Sequence, residues 1–145
     1  MYEYSCQVKR VVDGDTMDVV LDLGFDILHK CRVRLFGIDT PESRTRNLDE
    51  KARGLLSKAF LKESIKGKKV VLKTKLKDSR GKFGRVIAEV WAELEEGSLR
   101  NINDLMIKER HAVKYNAENK ALVYDAHMAN RAILIEKGMY IPKEV

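Results

Sequence analysis

The chain has 145 residues, of which 44% are hydrophobic and 34% charged, an ordinary globular composition long enough to bury a core without disulfide staples. Its 28 Lys and Arg against 22 Asp and Glu give a formal charge of +6, which favours an anionic partner or serves solubility alone, and charge does not choose between them. Cys6 and Cys31 lie outside any C-x-x-C pair and make no zinc pattern with His29, His111 and His127. They are either a disulfide or, as is commoner for one pair in a reducing cell, two small buried apolar side chains. No apolar run reaches the length of a membrane span, so no membrane partner is expected. The opening Met-Tyr-Glu-Tyr-Ser-Cys lacks the basic and apolar regions of a secretory signal, which makes an intracellular protein the expectation.

In chain order, Tyr4 to Val12 reads as extended and meets a turn at Asp13-Gly14-Asp15. Met17 to Leu23 is a strand rich in Val and Leu, and Gly24 signals the next turn. Alternation from Lys30 to Phe36 puts Cys31, Val33 and Leu35 on one face and Arg32 and Arg34 on the other. Three strands in quick succession predict an antiparallel meander. After Pro41 the spacing changes: Leu48, Ala52, Leu55, Leu56, Ala59, Phe60 and Ile65 recur every three or four residues, predicting an amphipathic helix that ends at Gly67. Lys69 to Leu76 and Val86 to Leu94 return to strand, joined by a turn at Arg80-Gly81-Lys82-Phe83-Gly84-Arg85. A short helix is expected from Ile102 to about Glu109, and a longer one from Ala121 to about Lys137 with Leu122, Ala126, Ala129, Ile133 and Glu136 in register. Tyr124 is assigned to the core, and Trp91 to a place in or beside the sheet.

No repeat, low-complexity stretch or linker divides the chain, so 1–145 is expected to be one domain. Five short strands, with a helix after the third and two helices at the end, match an α+β, mainly β, five-stranded OB-type barrel with three helices. Strand order does not follow from this pattern alone.

Each polar cluster has two readings. Asp13-Gly14-Asp15-Thr16 is either a common turn or a place where Asp15 serves as an oxygen ligand for a hard cation. Asp39-Thr40-Pro41-Glu42 is either a helix approach, with Asp or Thr as cap, or a second cation ligand at Asp39 with Glu42 acting on a water molecule. Arg34 is either a solvated strand arginine or a phosphate ligand, and Lys82-Phe83-Gly84-Arg85 is either a basic hairpin tip or part of the same site. The combination favours chemistry. Attack by water on an anionic phosphodiester raises negative charge on the equatorial oxygens. A cation and planar guanidinium forks neutralise that charge, and a carboxylate within hydrogen-bond reach orients or deprotonates the water.

The strings Val12-Asp13-Gly14-Asp15-Thr16, Arg34-Leu35-Phe36-Gly37-Ile38-Asp39-Thr40-Pro41-Glu42 and Lys82-Phe83-Gly84-Arg85 together resemble the staphylococcal nuclease family, over a span from about Gln7 to Pro142. The resemblance implies an OB-fold barrel and calcium-dependent hydrolysis of DNA or RNA. On that resemblance Asp15 and Asp39 bind Ca²⁺ through side-chain oxygens and Thr40 through its backbone carbonyl, with Mg²⁺ an alternative ion. Glu42 activates or positions water, Arg34 and Arg85 hold the scissile phosphate, and Lys82, Phe83 and Tyr115 contact the nucleotide. The expected partner is single-stranded or frayed nucleic acid, and the expected state a monomer. Phe83 stands where the family shows tyrosine and Gly81 where it often shows an acid. Only Tyr115 answers to two tyrosines that line the family's nucleotide pocket. The competing expectation is an OB-fold module that binds nucleic acid without cutting it. A weaker one is a protein-interaction barrel whose basic charge is incidental.

Overall fold

Three strands form the predicted meander: β1 (Tyr2–Asp13), β2 (Thr16–Asp22) and β3 (Leu28–Leu35). The structure is a computed structural model that describes residues 2–74, 85–115 and 119–143. β2 and β3 pair antiparallel without interruption, from Thr16 opposite Arg34 to Asp22 opposite Leu28. β1 pairs antiparallel with β2 through two register shifts, between Val8 and Arg10 and between Val11 and Asp13. Such irregularities increase local twist, which a sheet needs in order to curl.

Two more strands close the curl. β5 (Val70–Thr74) pairs antiparallel with β1, and β6 (Val86–Glu93) pairs antiparallel with β5. β6 also meets β3 in parallel, from Val33 opposite Val86 to Leu35 opposite Ala88. Strands β1, β2, β3, β5 and β6 therefore form a closed barrel, and with α1 (Leu48–Ile65), α2 (Ile102–Lys108) and α3 (Lys120–Glu136) the chain has the mainly-β fold expected of it. Closure removes the exposed strand edges that invite aggregation. The inner face carries Met17, Val19, Leu21, Val33, Leu35, Leu72 and Val90, and Leu61, Ile65, Ile102 and Met106 from α1 and α2 join the same core. Each large apolar side chain so buried contributes roughly 1.5–3 kcal/mol.

Three short strands went unread because two or three residues carry no alternation: β4 (Ile38–Asp39), which pairs with β8 (Val113–Lys114), and β7 (Leu99–Asn101), which extends the sheet beside β6. Cys6 and Cys31 are both free thiols, and burial pushes Cys6 up to about 12. Trp91 lies half-buried beside the barrel, with Lys73 Nζ 4.0 Å above its ring.

Helix α1 spans the predicted residues but turns a different face inward. Leu48, Leu55 and Ala59 are exposed, while Asp49, Arg53, Gly54, Ser57, Leu61 and Ile65 are buried. The small residues are there for close approach. A Cβ on Gly54 would lie 2.5 Å from the backbone carbon and oxygen of Glu42, and one on Gly14 would lie 2.7 Å from Ser57 Cβ. The middle of α1 thus presses against both loops that carry the candidate carboxylates. Its N-terminus is fixed by Asn47, whose side chain accepts from Glu50 N–H at 3.0 Å, a cap that contributes about 1 kcal/mol. In α3 the buried positions are Asn130 and Leu134, whereas Leu122 and Tyr124 are exposed, so Tyr124 is not a core residue. Ala129 and Glu136, counted in the apolar register, are exposed as well. Polar anchoring rather than an apolar stripe sets the face of α3.

Candidate active site

The hairpin turn between β1 and β2 places Asp15 at one end of the barrel, where its carbonyl accepts from Leu35 N–H at 2.8 Å. Arg34 stands opposite Thr16 in the next strand, on the outer face because Val33 and Leu35 point inward. The chain must then reverse within two residues to bring Asp39 back beside Arg34. Gly37 does this with φ of 74°, a conformation that side-chain-bearing residues avoid. β4 is held there by pairing of Asp39 with Val113 and by Tyr115 N–H donating to Gly37 C=O at 2.9 Å.

These turns bring together four of the residues expected at the site. Arg34 Nη1 lies 2.9 Å from Asp15 Oδ2, and Arg34 Nη2 lies 3.6 Å from Asp39 Oδ1. One guanidinium thus lies between the two carboxylates. Thr40 is buried and its N–H donates to Asp15 Oδ2 at 3.3 Å, while Thr16 Oγ1 donates to Asp15 Oδ1 at 2.9 Å. The Arg34 Nη1 contact is one of charge only: that nitrogen is buried without an aligned hydrogen-bond acceptor. Its donor capacity remains available to an oxygen placed from another direction.

Glu42 follows on the loop that packs against Gly54, its N–H donating to Glu50 Oε2 at 3.0 Å. Partial burial, and then the negative charges of Asp13, Asp15, Asp39 and Glu50, raise the Glu42 carboxyl above its usual range. Asp13 also orients the loop by accepting from Ser43 Oγ. The cluster therefore holds more carboxylate than cation.

The remaining expected residues are placed less tightly. Arg85 is half-buried immediately before β6, and by alternation from Ile87, which pairs with Arg34, it falls on the outer face that Arg34 occupies. Tyr115 is half exposed and its ring lies 5.6 Å from the Arg34 guanidinium carbon, a cation–π distance. Lys82 and Phe83 lie outside the described residues.

Reading the sequence for chemistry missed His127. Its Nε2 is 2.7 Å from Asp39 Oδ2, across 88 positions of chain. No local motif marks it, because α3 alone brings it to β4.

Among the described residues no three His, Cys, Asp or Glu side chains converge tightly enough to cage an ion by themselves. The donor set nevertheless suits a hard cation. Asp15 and Asp39 offer oxygen only, they are close enough to share one guanidinium, and Asp13 and Glu42 add further negative charge beside them. A cation bound by two carboxylates and a carbonyl, with water completing its shell, is the open arrangement expected of Ca²⁺ or Mg²⁺ in a hydrolytic site.

Residues 32–134 match the family model described as "Staphylococcal nuclease homologue". Among curated relatives, a thermonuclease of Staphylococcus intermedius is 38% identical over 87 residues, covering 60% of this chain and 48% of the relative. Protein ParB of Escherichia coli is 32% identical over 125 residues, covering 82% and 62% respectively. A micrococcal nuclease of Shigella flexneri is 30% identical over 122 residues, covering 81% and 62%. The chain thus spans about half to three-fifths of the length of these relatives. With the matched span running from within β3 through β4 and all of α1 to most of α3, and with the barrel closed as described, the chain belongs to the staphylococcal nuclease family.

Proposed function

We propose that this chain is a nuclease that hydrolyses phosphodiester bonds of DNA or RNA with the help of a divalent cation, Ca²⁺ by preference. The single observation that carries this reading is the convergence of Asp15, Asp39 and Arg34, beside a Glu42 whose carboxyl is raised by partial burial and then by neighbouring carboxylates. Asp15, Asp39 and the Thr40 carbonyl would hold the cation. When bound, it supplies Lewis-acid polarisation of a phosphate oxygen and lowers the pKa of bound water. Were the two carboxylates engaged by a cation, the Arg34 fork would be free to turn its donors to the phosphate. Arg85, on the same face, shares the charge that grows on the equatorial oxygens.

Glu42 takes or orients the proton of the attacking water, and partial burial with its acidic neighbours raises its carboxyl, the direction that makes a carboxylate a stronger base. Tyr115 offers a ring to the nucleotide next to Arg34, and Lys82 and Phe83 contact it from the β5–β6 connection. The half-exposed Tyr115 ring beside Arg34 suits single-stranded or frayed nucleic acid, whose bases are free to stack.

The test is cleavage of labelled single-stranded DNA and RNA in Ca²⁺, Mg²⁺ or EDTA, with Glu42→Ala alongside. Cleavage is expected in Ca²⁺ and absent in EDTA, and the variant should lose on the order of 10²–10⁴ in rate. Undiminished cutting by the variant, or in chelator, defeats the mechanism. Salt-sensitive binding with no turnover in any ion would instead identify a binding module.

A further inference from the structure

The mechanism above gives every polar group around Asp39 a task except His127. This imidazole projects from the middle of α3 and is largely buried, with only 13% of its side chain exposed. Since an ionised carboxylate can only accept, Nε2 carries the proton and donates to Asp39 Oδ2 at 2.7 Å. The other oxygen, Oδ1, faces Arg34, whose Nη1 lies on Asp15.

A staple between α3 and β4 is the plain alternative, but both partners are anchored without this bond. One turn further along α3, Asn130 Nδ2 donates to Ala112 C=O at 3.1 Å, Arg131 Nε donates to Asp49 Oδ2 at 2.9 Å, and Leu134 is buried. β4 is paired with β8 and tied again by Tyr115 N–H to Gly37 C=O. The backbones of helix and strand are fixed; the Asp39 carboxylate is what remains to be fixed. Its χ angles would otherwise let it rotate toward Arg34, whose Nη2 is already 3.6 Å from Oδ1, and close on the guanidinium through both oxygens. A carboxylate caught that way is lost to a cation.

We propose that His127 is a positioning residue that holds one oxygen of Asp39 so that the other stays available to the divalent cation. The inference rests on the reading that Asp39 is a cation ligand. It assigns the α3 helix a direct part in the site, although α3 contributes no ligand of its own. Hydrogen-bonding partners behind a metal-binding carboxylate typically account for about 10–100-fold in metal affinity.

Calorimetric titration of the whole chain with Ca²⁺ alone, with melting curves in parallel, tests it. His127→Leu fills much of the same volume without a donor, and His127→Gln keeps an N–H that can reach Oδ2. His127→Leu should weaken Ca²⁺ binding about 10–100-fold with little change in Tm, and His127→Gln should recover most of the loss. Where the leucine variant melts early, His127→Asn, polar but too short to reach, should show the same weakening. Equal Ca²⁺ affinity in wild type and the donor-less variants overturns the proposal, and so does a glutamine variant as weak as leucine. Asp39→Ala separates the two levels. If it abolishes Ca²⁺ binding while His127 variants bind normally, only the role of His127 falls. If Asp39→Ala binds Ca²⁺ like wild type, the cation reading fails and the inference falls with it.

Discussion

Two carboxylate centres flank helix α1, and they are built in opposite ways. Asp49, 5% exposed in the first turn of the helix, has every acceptor filled. Oδ1 accepts from the Tyr140 hydroxyl and from Lys143 N–H at 3.0 Å, while Oδ2 accepts from Arg131 Nε at 2.9 Å with Arg53 Nε 3.5 Å away. Burial opposes its charge, but the hydrogen bonds from Tyr140, Arg131 and Lys143 outweigh burial and hold its pKa at about 2. Around Glu42 the balance reverses: burial goes uncompensated by donors, Asp13, Asp15 and Asp39 add negative charge, and the Glu42 carboxyl is pushed up rather than down. A carboxylate with as many donors as acceptors joins elements together. A cluster with more anions than cations is prepared for something that arrives from outside.

The sharpest way to break this contrast is at Arg34, the cation within the deficient cluster. Arg34→Gln should lower the rate of phosphodiester cleavage by ~10³–10⁵, the range known for arginines at phosphoryl-transfer sites. If Arg34 also neutralises the two aspartates when no cation is bound, the same variant should bind Ca²⁺ at least as tightly as wild type, since a competing positive charge is gone. A variant that loses both rate and Ca²⁺ affinity would mean that Arg34 organises the ligands rather than competing for them.

The filled centre should respond in stability instead. Asp49→Asn leaves Arg131 and Arg53 facing a neutral group in a buried place, a loss of ~3–5 kcal/mol. For a chain of this size that corresponds to a fall in Tm of roughly 10 °C, while kcat measured below the transition should hold. The pH dependence follows from the sign of the shift. A carboxyl whose pKa drops from 3.8 unfolded to about 2 folded stabilises the fold above pH 4. That contribution, on the order of 2 kcal/mol, disappears as pH falls through this window. Melting curves of wild type and Asp49→Asn should therefore converge toward pH 2. Parallel curves across the range would show that Asp49 is not the group that titrates.

Residues close in sequence made the open centre legible and the filled one invisible. Asp13 to Thr16 and Arg34 to Glu42 are short strings whose members meet through tight turns, so their combination, and the family resemblance it carries, pointed to a shared site. The filled centre joins Asp49 to Arg131, Tyr140 and Lys143, and Asp39 meets His127 only because α3 folds back over β4. Such partners leave no pattern at helix or strand period. The same limit explains the rotated face of α1, which keeps Phe60 and Ile65 on the core but exposes Leu48, Leu55 and Ala59. Leu48 and Leu55 satisfied the periodicity, but the helix turned Gly54 and Ser57 inward because only small residues admit the two loops so closely. Hydrophobic spacing located the helix, and steric demand at the site chose its face.

Gly54 is where the two centres touch, and substituting it has the smallest expected effect and the most specific meaning. The helix that Asp49 and Arg53 fix at one end meets the Glu42 backbone here, with no room for a methyl group: its carbon would sit 2.5 Å from Glu42 C and O and 2.6 Å from Ser43 N. All three neighbours are backbone atoms, so no side chain can swing aside. Helix propensity alone favours alanine by about 1 kcal/mol, which makes Gly54→Ala stabilising wherever space allows it. Here the overpacking, worth ~1–3 kcal/mol, should exceed that gain and lower Tm slightly. Relief requires the Glu42 loop to move away from α1 by something near 1 Å, and a displacement of that size in a reacting group can reduce the rate about 10²-fold. Gly54→Ala should therefore lower kcat far more than its small loss of Tm suggests, with Ca²⁺ affinity nearly unchanged because Asp15 and Asp39 lie on other elements. A variant that loses stability but keeps its kcat would show that the loop's own bonds, Ser43 to Asp13 and Glu42 N–H to Glu50, are enough to place Glu42 without the helix behind it.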